Sequence, residues 1–368
     1  MLKIVYNSFG GWFSDSPRAL HRAVAQAHDG EDVEHVWIAS PEQAHTFPDG
    51  VTTVVHGTPE CVAALETADL VVSNTHLGMQ WRKGADTVYL QTWHGTPLKV
   101  ISHDEKSLSD DVRASIDEDV SRWDLLLSPN AASTPHLRRA FRWAGAVHET
   151  GLPRNDVLSA PDRDLHRARV RSELGIEEGT TAVLYTPTWR DDDLAEDGAD
   201  FRLRIDLERF RERLGGSAVL LLRLHYKVSD ALGTVTTPGV LDLSAYPDVA
   251  DLYLAADVMV TDYSSTQFDF ARLGRPIVHL ADDLERYEAE RGMYYDYRQL
   301  CPGPIVSSSE QLLDALADLD GVRRRTGTPL AAFADMFCSL DDGHATERVL
   351  DLVLPRIHGE DELSRRSA

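Results

Sequence analysis

Short runs of valine, isoleucine and leucine alternate with helix-forming stretches along the whole of this 368-residue chain. Few folds accommodate that rhythm. The runs predict strands at Lys3–Ser8, Val33–Ile38, Val51–Val55, Asp69–Ser73, Thr87–Thr92 and Trp123–Ser128. After a break they resume at Thr181–Thr186, Ala218–Leu224, Val240–Leu243, Asp257–Thr261 and Pro276–Leu280. Several lack period-two alternation, as strands buried on both faces of a parallel sheet do. Helix starts fall between them. Ser16-Pro17 opens Arg18–His28, and Ser133 or Thr134 with Pro135 opens His136–Trp143; each places a capping residue before a proline in the first turn. The length exceeds one ordinary core. Two successive βα arrays therefore predict an α/β protein of two Rossmann-like domains, 1–155 and 156–342, divided near Gly151-Leu152-Pro153-Arg154-Asn155-Asp156.

Composition narrows the classes of function. No apolar run approaches the roughly 20 residues that span a bilayer. The opening Met1-Leu2-Lys3-Ile4-Val5-Tyr6 enters a strand directly, without a signal-peptide pattern, and predicts a cytoplasmic protein. Cys61, Cys301 and Cys338 are too far apart for a CxxC zinc or redox pair and read as reduced thiols. A net charge of −23 argues against nonspecific binding to nucleic acid and against simple adhesion to anionic lipid. A phosphate-bearing substrate would need local positive charge.

Two clusters carry chemistry. In the first, Gln91-Thr92-Trp93-His94-Gly95-Thr96-Pro97-Leu98-Lys99 follows the apolar run Thr87–Leu90 and breaks at Gly95 and Pro97. His94 should stand at a strand's carboxyl end, the edge where open α/β sheets bind ligands. An imidazole there can take a proton from a hydroxyl near neutral pH. In the second, the run ending at Thr261 turns through Asp262-Tyr263-Ser264-Ser265 into a helix over Thr266–Leu273, closed by Gly274. Free N–H groups and the hydroxyls of Ser264, Ser265 and Thr266 suit a phosphate, although serines at that position also serve simply as caps. Two further strand ends in the same half carry Thr186-Pro187-Thr188-Trp189-Arg190 and Arg223-Leu224-His225-Tyr226-Lys227. Arg190 offers a planar fork for a pyrophosphate, while His225 and Lys227 could neutralise a leaving nucleotide. Asp262 and Asp269 read as orienting groups. Asp191-Asp192-Asp193 invites a metal, but consecutive carboxylates on an acidic loop seldom close a ligand set, and no obligatory metal or cofactor is expected.

These motifs resemble, in order, the CDP-glycerol glycerophosphotransferase family, the teichoic-acid primases and polymerases. The series runs Ser14-Asp15-Ser16-Pro17-Arg18-Ala19, with Ser16 where asparagine is usual, then Gln91–Lys99, Ser128-Pro129-Asn130 and Gly151–Asp156. It continues with Tyr185–Asp192, Thr261–Ser265, Phe268-Asp269-Phe270, Tyr287 and Arg291-Gly292-Met293-Tyr294-Tyr295-Asp296. The resemblance implies a GT-B fold, two Rossmann-like domains facing across an interdomain cleft, with a helix at about 343–358 packed back on the first. It implies transfer of glycerol phosphate from CDP-glycerol to an acceptor hydroxyl, with release of CMP, for teichoic acid or a related envelope polymer. His94 then matches the catalytic histidine, with His225 as its second. Gly10, Gly11, Gly95, Thr96 and Lys99 fall on the acceptor side. Thr188, Arg190, Lys227, Asp262, Ser264, Ser265 and Thr266 fall on the donor pyrophosphate and nucleotide side. The acceptor would be a polyol phosphate or glycan, soluble or lipid-linked, met at the inner membrane face by peripheral contact. The stretch Arg138-Arg139-Ala140-Phe141-Arg142-Trp143 is either an interfacial patch or a solvated arginine face with its aromatics in the core. The competing readings are a UDP-sugar glycosyltransferase or epimerase, a CDP-ribitol enzyme and a noncatalytic nucleotide binder.

Overall fold

The computed structural model describes residues 1–28, 33–188, 203–224 and 237–358. The chain divides into two compact units. One comprises residues 1–97, 101–159 and 339–368, the other residues 98–100 and 160–338.

The first unit is built on seven strands: β1 (Leu2–Asn7), β2 (Val33–Ala39), β3 (Thr52–Val55), β4 (Leu70–Ser73), β5 (Val88–Gln91), β6 (Leu125–Ser128) and β7 (Val147–Glu149). They pair in the order β3-β2-β1-β4-β5-β6-β7, and every ladder is parallel. Strand order reverses between β1 and β4, which pair from Ile4↔Leu70 to Asn7↔Ser73. Both faces are buried, so the strands need no polar alternation. One face packs Val5, Val36, Val71, Tyr89 and Leu126 against Trp93, Trp123 and Phe141. The other packs Ile4, Tyr6, Trp37, Val72 and Leu127 against Val349 and Val353 of the helix Ala345–His358. That helix is fastened at its start by Asp156, whose carboxylate accepts from the N–H groups of Ala345 at 2.9 Å and Thr346 at 2.8 Å.

The second unit holds β8 (Thr181–Thr186), β9 (Ala218–Leu222), β10 (Val240–Asp242), β11 (Val258–Thr261), β12 (Ile277–Leu280) and β13 (Ile305–Val306). Their order, β10-β9-β8-β11-β12-β13, repeats the first sheet's plan, again with parallel ladders throughout. Here the order reverses between β8 and β11. Leu98–Val100 goes with this unit, where Lys99 forms an isolated antiparallel bridge to Met293.

Three helices differ from the sequence expectation in extent, and the one expected over His136–Trp143 spans Thr134–Ala140. The first helix spans Asp15–His28, so Ser16 and Pro17 lie inside its first turn. The helix after β11 spans only Thr266–Ala271; Leu273 and Gly274 then donate to Phe270 and Ala271 in tighter i→i+3 turns, and Gly274 adopts φ +63°, the conformation that ends helices. The strands β7 and β13 have no counterpart in the predicted set.

Candidate active site

In the first unit, three chain segments leave adjacent parallel strands at the carboxyl edge: Ser8–Gly11 after β1, Asn74–His76 after β4 and Thr92–His94 after β5. This is the topological switch point, where open α/β sheets place ligands. His94 Nδ1 lies 2.7 Å from the carbonyl oxygen of Asn74. A carbonyl only accepts, so Nδ1 carries the hydrogen and Nε2 presents its lone pair. The Asn74 side chain braces the opposite loop. Its Oδ1 accepts from the Phe9 N–H at 2.9 Å and its Nδ2 donates to Ser8 Oγ at 3.2 Å. The His94 ring, half-buried, packs 4.0 Å from the Trp93 ring and 5.4 Å from that of Phe9, centroid to centroid. Burial pushes its pKa down to about 4, against the upward pulls of the Asn74 carbonyl and Asp15. The imidazole is therefore neutral at pH 7.

The backbone around this ring is strained. Among the described residues five non-glycines have positive φ, and three of them, Phe9 (48°), Asp15 (63°) and Trp93 (53°), surround His94. Such conformations cost about 1–3 kcal/mol each and concentrate at functional sites. Gly11 is required for a different reason: a Cβ there would lie 2.2 Å from the Ser40 nitrogen. Gly10 and Gly95 also take positive φ, at 73° and 143°. Thr96 is buried, its hydroxyl accepting from Asn130 Nδ2 at 2.9 Å. Behind the site, Arg154 Nη1 donates to Asp15 Oδ2 at 2.5 Å and to the His94 carbonyl at 2.8 Å.

The second unit repeats the placement. Its switch point lies between the ends of β8 and β11, and Thr186–Thr188 and Thr261–Thr266 occupy it. Asp262 ties the two loops together, Oδ1 accepting from the N–H of Thr188 at 2.8 Å and of Tyr263 at 2.6 Å. Its carbonyl accepts from the buried Tyr297 hydroxyl at 2.7 Å. Asp262 is thus an organiser of the turn. Thr266 Oγ1 bonds Thr186 Oγ1 and Ser264 Oγ, both at 3.0 Å, and Ser264 Oγ also accepts from the Thr266 N–H. The Thr266 hydroxyl is committed inside the turn. Ser265 occupies the cap position without a side-chain cap bond. Beneath the turn, Gln267 Nε2 donates to the Ser264 carbonyl at 3.1 Å, and Gln267 Oε1 faces His279 Nε2 at 3.1 Å. Arg190, His225, Lys227 and the acidic run Asp191–Asp193 lie outside the described residues. Among the described residues no group of three or more His, Cys, Asp or Glu is placed to hold a metal.

The structure also resolves the two readings of Arg138–Trp143. Phe141 is fully buried and Trp143 packs on the same cluster, 6.1 Å from Trp123. Arg139 and Arg142 pair with Asp104 and Asp117 at the surface. The aromatics belong to the core. No helix among the described residues is long and apolar enough to cross a membrane.

Asn74 and Arg154, which hold the His94 ring and main chain, are the residues of this candidate site that sequence reasoning missed. Asn74 had one available signal, its position directly after a predicted strand; Arg154 had only its place in the Gly151–Asp156 motif.

The model for CDP-glycerol:poly(glycerophosphate) glycerophosphotransferases matches residues 2–355. The chain belongs to that family. It is 35% identical to the teichoic acid glycerol-phosphate transferase of Staphylococcus aureus (strain NCTC 8325), covering 95% of this chain and 92% of that one. It is equally 35% identical to the teichoic acid poly(glycerol phosphate) polymerase of Staphylococcus epidermidis, over 95% of this chain and 50% of the relative. The chain thus spans about half the length of some curated relatives and nearly all of others. A structure of the wall teichoic acid polymerase TagF superposes with a TM-score of 0.88 at 34% identity, covering 98% of this chain and 90% of that one. The family's GT-B-like fold class, with two parallel Rossmann-like sheets, is therefore that of this chain.

Proposed function

We propose that this chain transfers glycerol phosphate from CDP-glycerol to an acceptor hydroxyl, releasing CMP, in the synthesis of teichoic acid or a related envelope polymer. The observation that carries the reading is the His94 tautomer. With Nδ1–H spent on the Asn74 carbonyl, Nε2 has no partner among the described residues and is free to take a proton. A TagF structure soaked with CDPG has the same fold at 33% identity, which supports CDP-glycerol as donor.

In the proposed step the acceptor oxygen attacks the β-phosphorus, the phosphorus that bears glycerol. Its proton passes to His94 Nε2, the bond from that phosphorus to the bridging oxygen breaks, and CMP departs with the electron pair. Phosphoryl transfer depends chiefly on alignment and charge neutralisation. Ser264, Ser265, Thr188 and the turn held by Asp262 would receive the pyrophosphate, with Arg190, His225 and Lys227 supplying positive charge. Gly10, Gly11, Gly95, Thr96 and Lys99 would border the acceptor, a polyol phosphate or glycan, soluble or lipid-linked at the inner membrane face.

The test offers CDP-glycerol, CDP-ribitol and UDP-sugars in parallel and identifies the nucleotide product by mass. CMP from CDP-glycerol is the expected result; UDP release would move the chain to sugar-nucleotide chemistry, and binding of CMP without turnover would make it a binder. A likeness at 13% identity and TM-score 0.56 to a UDP-GlcNAc 2-epimerase from Neisseria meningitidis reflects shared fold alone.

A further inference from the structure

We infer that the buried ion pair of Asp15 and Arg154 is a positioning device for His94, holding its main chain and fixing a carboxylate one guanidinium nitrogen away from its carbonyl. The inference rests on the reading of His94 as the base. It gives a task to two motifs, Ser14–Ala19 and Gly151–Asp156, that the proposed step leaves unused.

The geometry is specific. The Asp15 and Arg154 side chains are only 4% and 6% exposed. One nitrogen, Arg154 Nη1, serves both Asp15 Oδ2 and the His94 carbonyl, at 2.5 and 2.8 Å. Asp15 is itself held at φ +63° and its Oδ1 accepts from the Ser16 N–H at 2.6 Å. Desolvating two charges generally gains less stability than a packed apolar pair of the same size, so fold stability alone is a poor reason for this arrangement. A chemical reason is at hand. When Nε2 takes the acceptor's proton, positive charge appears on a half-buried ring, and a fixed carboxylate in its field lowers the cost of that charge. Burial by itself pushes the Asp15 carboxyl up; Arg154 and the Ser16 N–H outweigh it and keep the group below the usual carboxylate range, hence ionised. Among the described residues, three charged or titratable groups act on His94. Asp15 acts from the first helix, Arg154 from the turn Pro153–Asn155, and His76 from the loop after β4, its ring 3.5 Å from the Asp119 carboxylate.

The experiment compares wild type, Asp15→Asn, Arg154→Met and the Asp15→Asn/Arg154→Met double variant of the full chain. Turnover and donor KM are measured at pH 7, and the protonated fraction of the His94 ring at pH 4.5 is read by ¹⁵N NMR. Asp15→Asn should lower kcat about 30-fold or more within the range usual for a perturbed base, keep donor KM within about threefold, and reduce ring protonation at pH 4.5. Arg154→Met is expected to lose turnover as well. The double variant leaves no unpaired buried charge, so it should melt near wild type yet stay slow; this keeps the test decisive if a single variant fails to fold. Wild-type turnover in the double variant, or an unchanged His94 ionisation in Asp15→Asn, overturns the inference. Absence of CMP release by the wild-type chain would instead remove the transferase reading, while the NMR comparison still decides whether the pair acts on His94.

Discussion

At His94 a single carbonyl fixes the tautomer. Were Nδ1 solvated, either tautomer would be present; bonded to Asn74 at 2.7 Å, the ring presents Nε2 as the basic nitrogen. Replacing His94 by Ala should cut kcat by about 10²–10⁴ with donor KM little changed. A loss below tenfold would take the base role from His94. The depressed pKa has a further consequence with a definite sign. Above the unfolded value of about 6.5 the ring is neutral in both states and its contribution to stability is complete. As pH falls from there toward about 4, the unfolded chain binds the proton first and stability drains away. His21 and His279, also pushed by burial to about 4, add to the same loss. His94→Gln should therefore lose less stability than wild type between pH 6.5 and 4, by a difference on the order of 1–3 kcal/mol. Urea midpoints at the two pH values measure it. In parallel, the acid limb of kcat/KM should lie well below 6.5, and a limb at 6.5 would show a solvated base.

At the scale of elements, the helix Val249–Ala255 shows what a short helix requires. Its last carbonyls lack intrahelical partners and are taken up by side chains. Arg167 reaches Leu254, Ala255 and Ala256, Arg171 reaches Ala255, and Arg275 reaches Tyr253, Leu254 and Ala256. Asp257 holds the first two arginines and also accepts from the Ala182 N–H at the start of β8. Burial raises its carboxyl, but that N–H and both guanidinium groups outweigh burial and hold it ionised. Asp257→Asn should destabilise by about 2 kcal/mol, less than for a fully buried pair because Asp257 is about a quarter exposed. A change under 0.5 kcal/mol in urea would mean the carbonyls alone retain the arginines. The same scale shows what the sequence discloses. The strands carrying the sites announce themselves, since Val88–Gln91 and Val258–Thr261 are apolar runs buried throughout. The edge strands β7 and β13 do not: Val-His-Glu and Ile-Val are too short to form a pattern, and only pairing to β6 and β12 makes them strands. His94 is legible because strand end and breakers are neighbours in sequence. Asn74 and Arg154 act on it across 20 and 60 residues, a relation no local pattern encodes.

For the molecule as a whole, charge and surface must be weighed together. The chain carries −23 at neutral pH. The one compact basic and aromatic stretch, Arg138–Trp143, has Phe141 in the core and Arg139 and Arg142 beside aspartates. No described helix can span a bilayer. Binding to an anionic membrane surface gains about 1 kcal/mol for each basic residue near it, and a strongly negative chain opposes that gain over roughly a Debye length, about 8 Å at physiological salt. An acceptor carried on lipid would then be met through its own headgroup rather than through bilayer charge. Cosedimentation with phosphatidylserine vesicles should consequently be weak and should fall further as salt is lowered from 0.15 to 0.01 M, because the Debye length grows to about 30 Å and repulsion reaches farther. Binding that strengthens at low salt would show a basic surface beyond the stretches described, and would place attachment to the membrane in the protein itself.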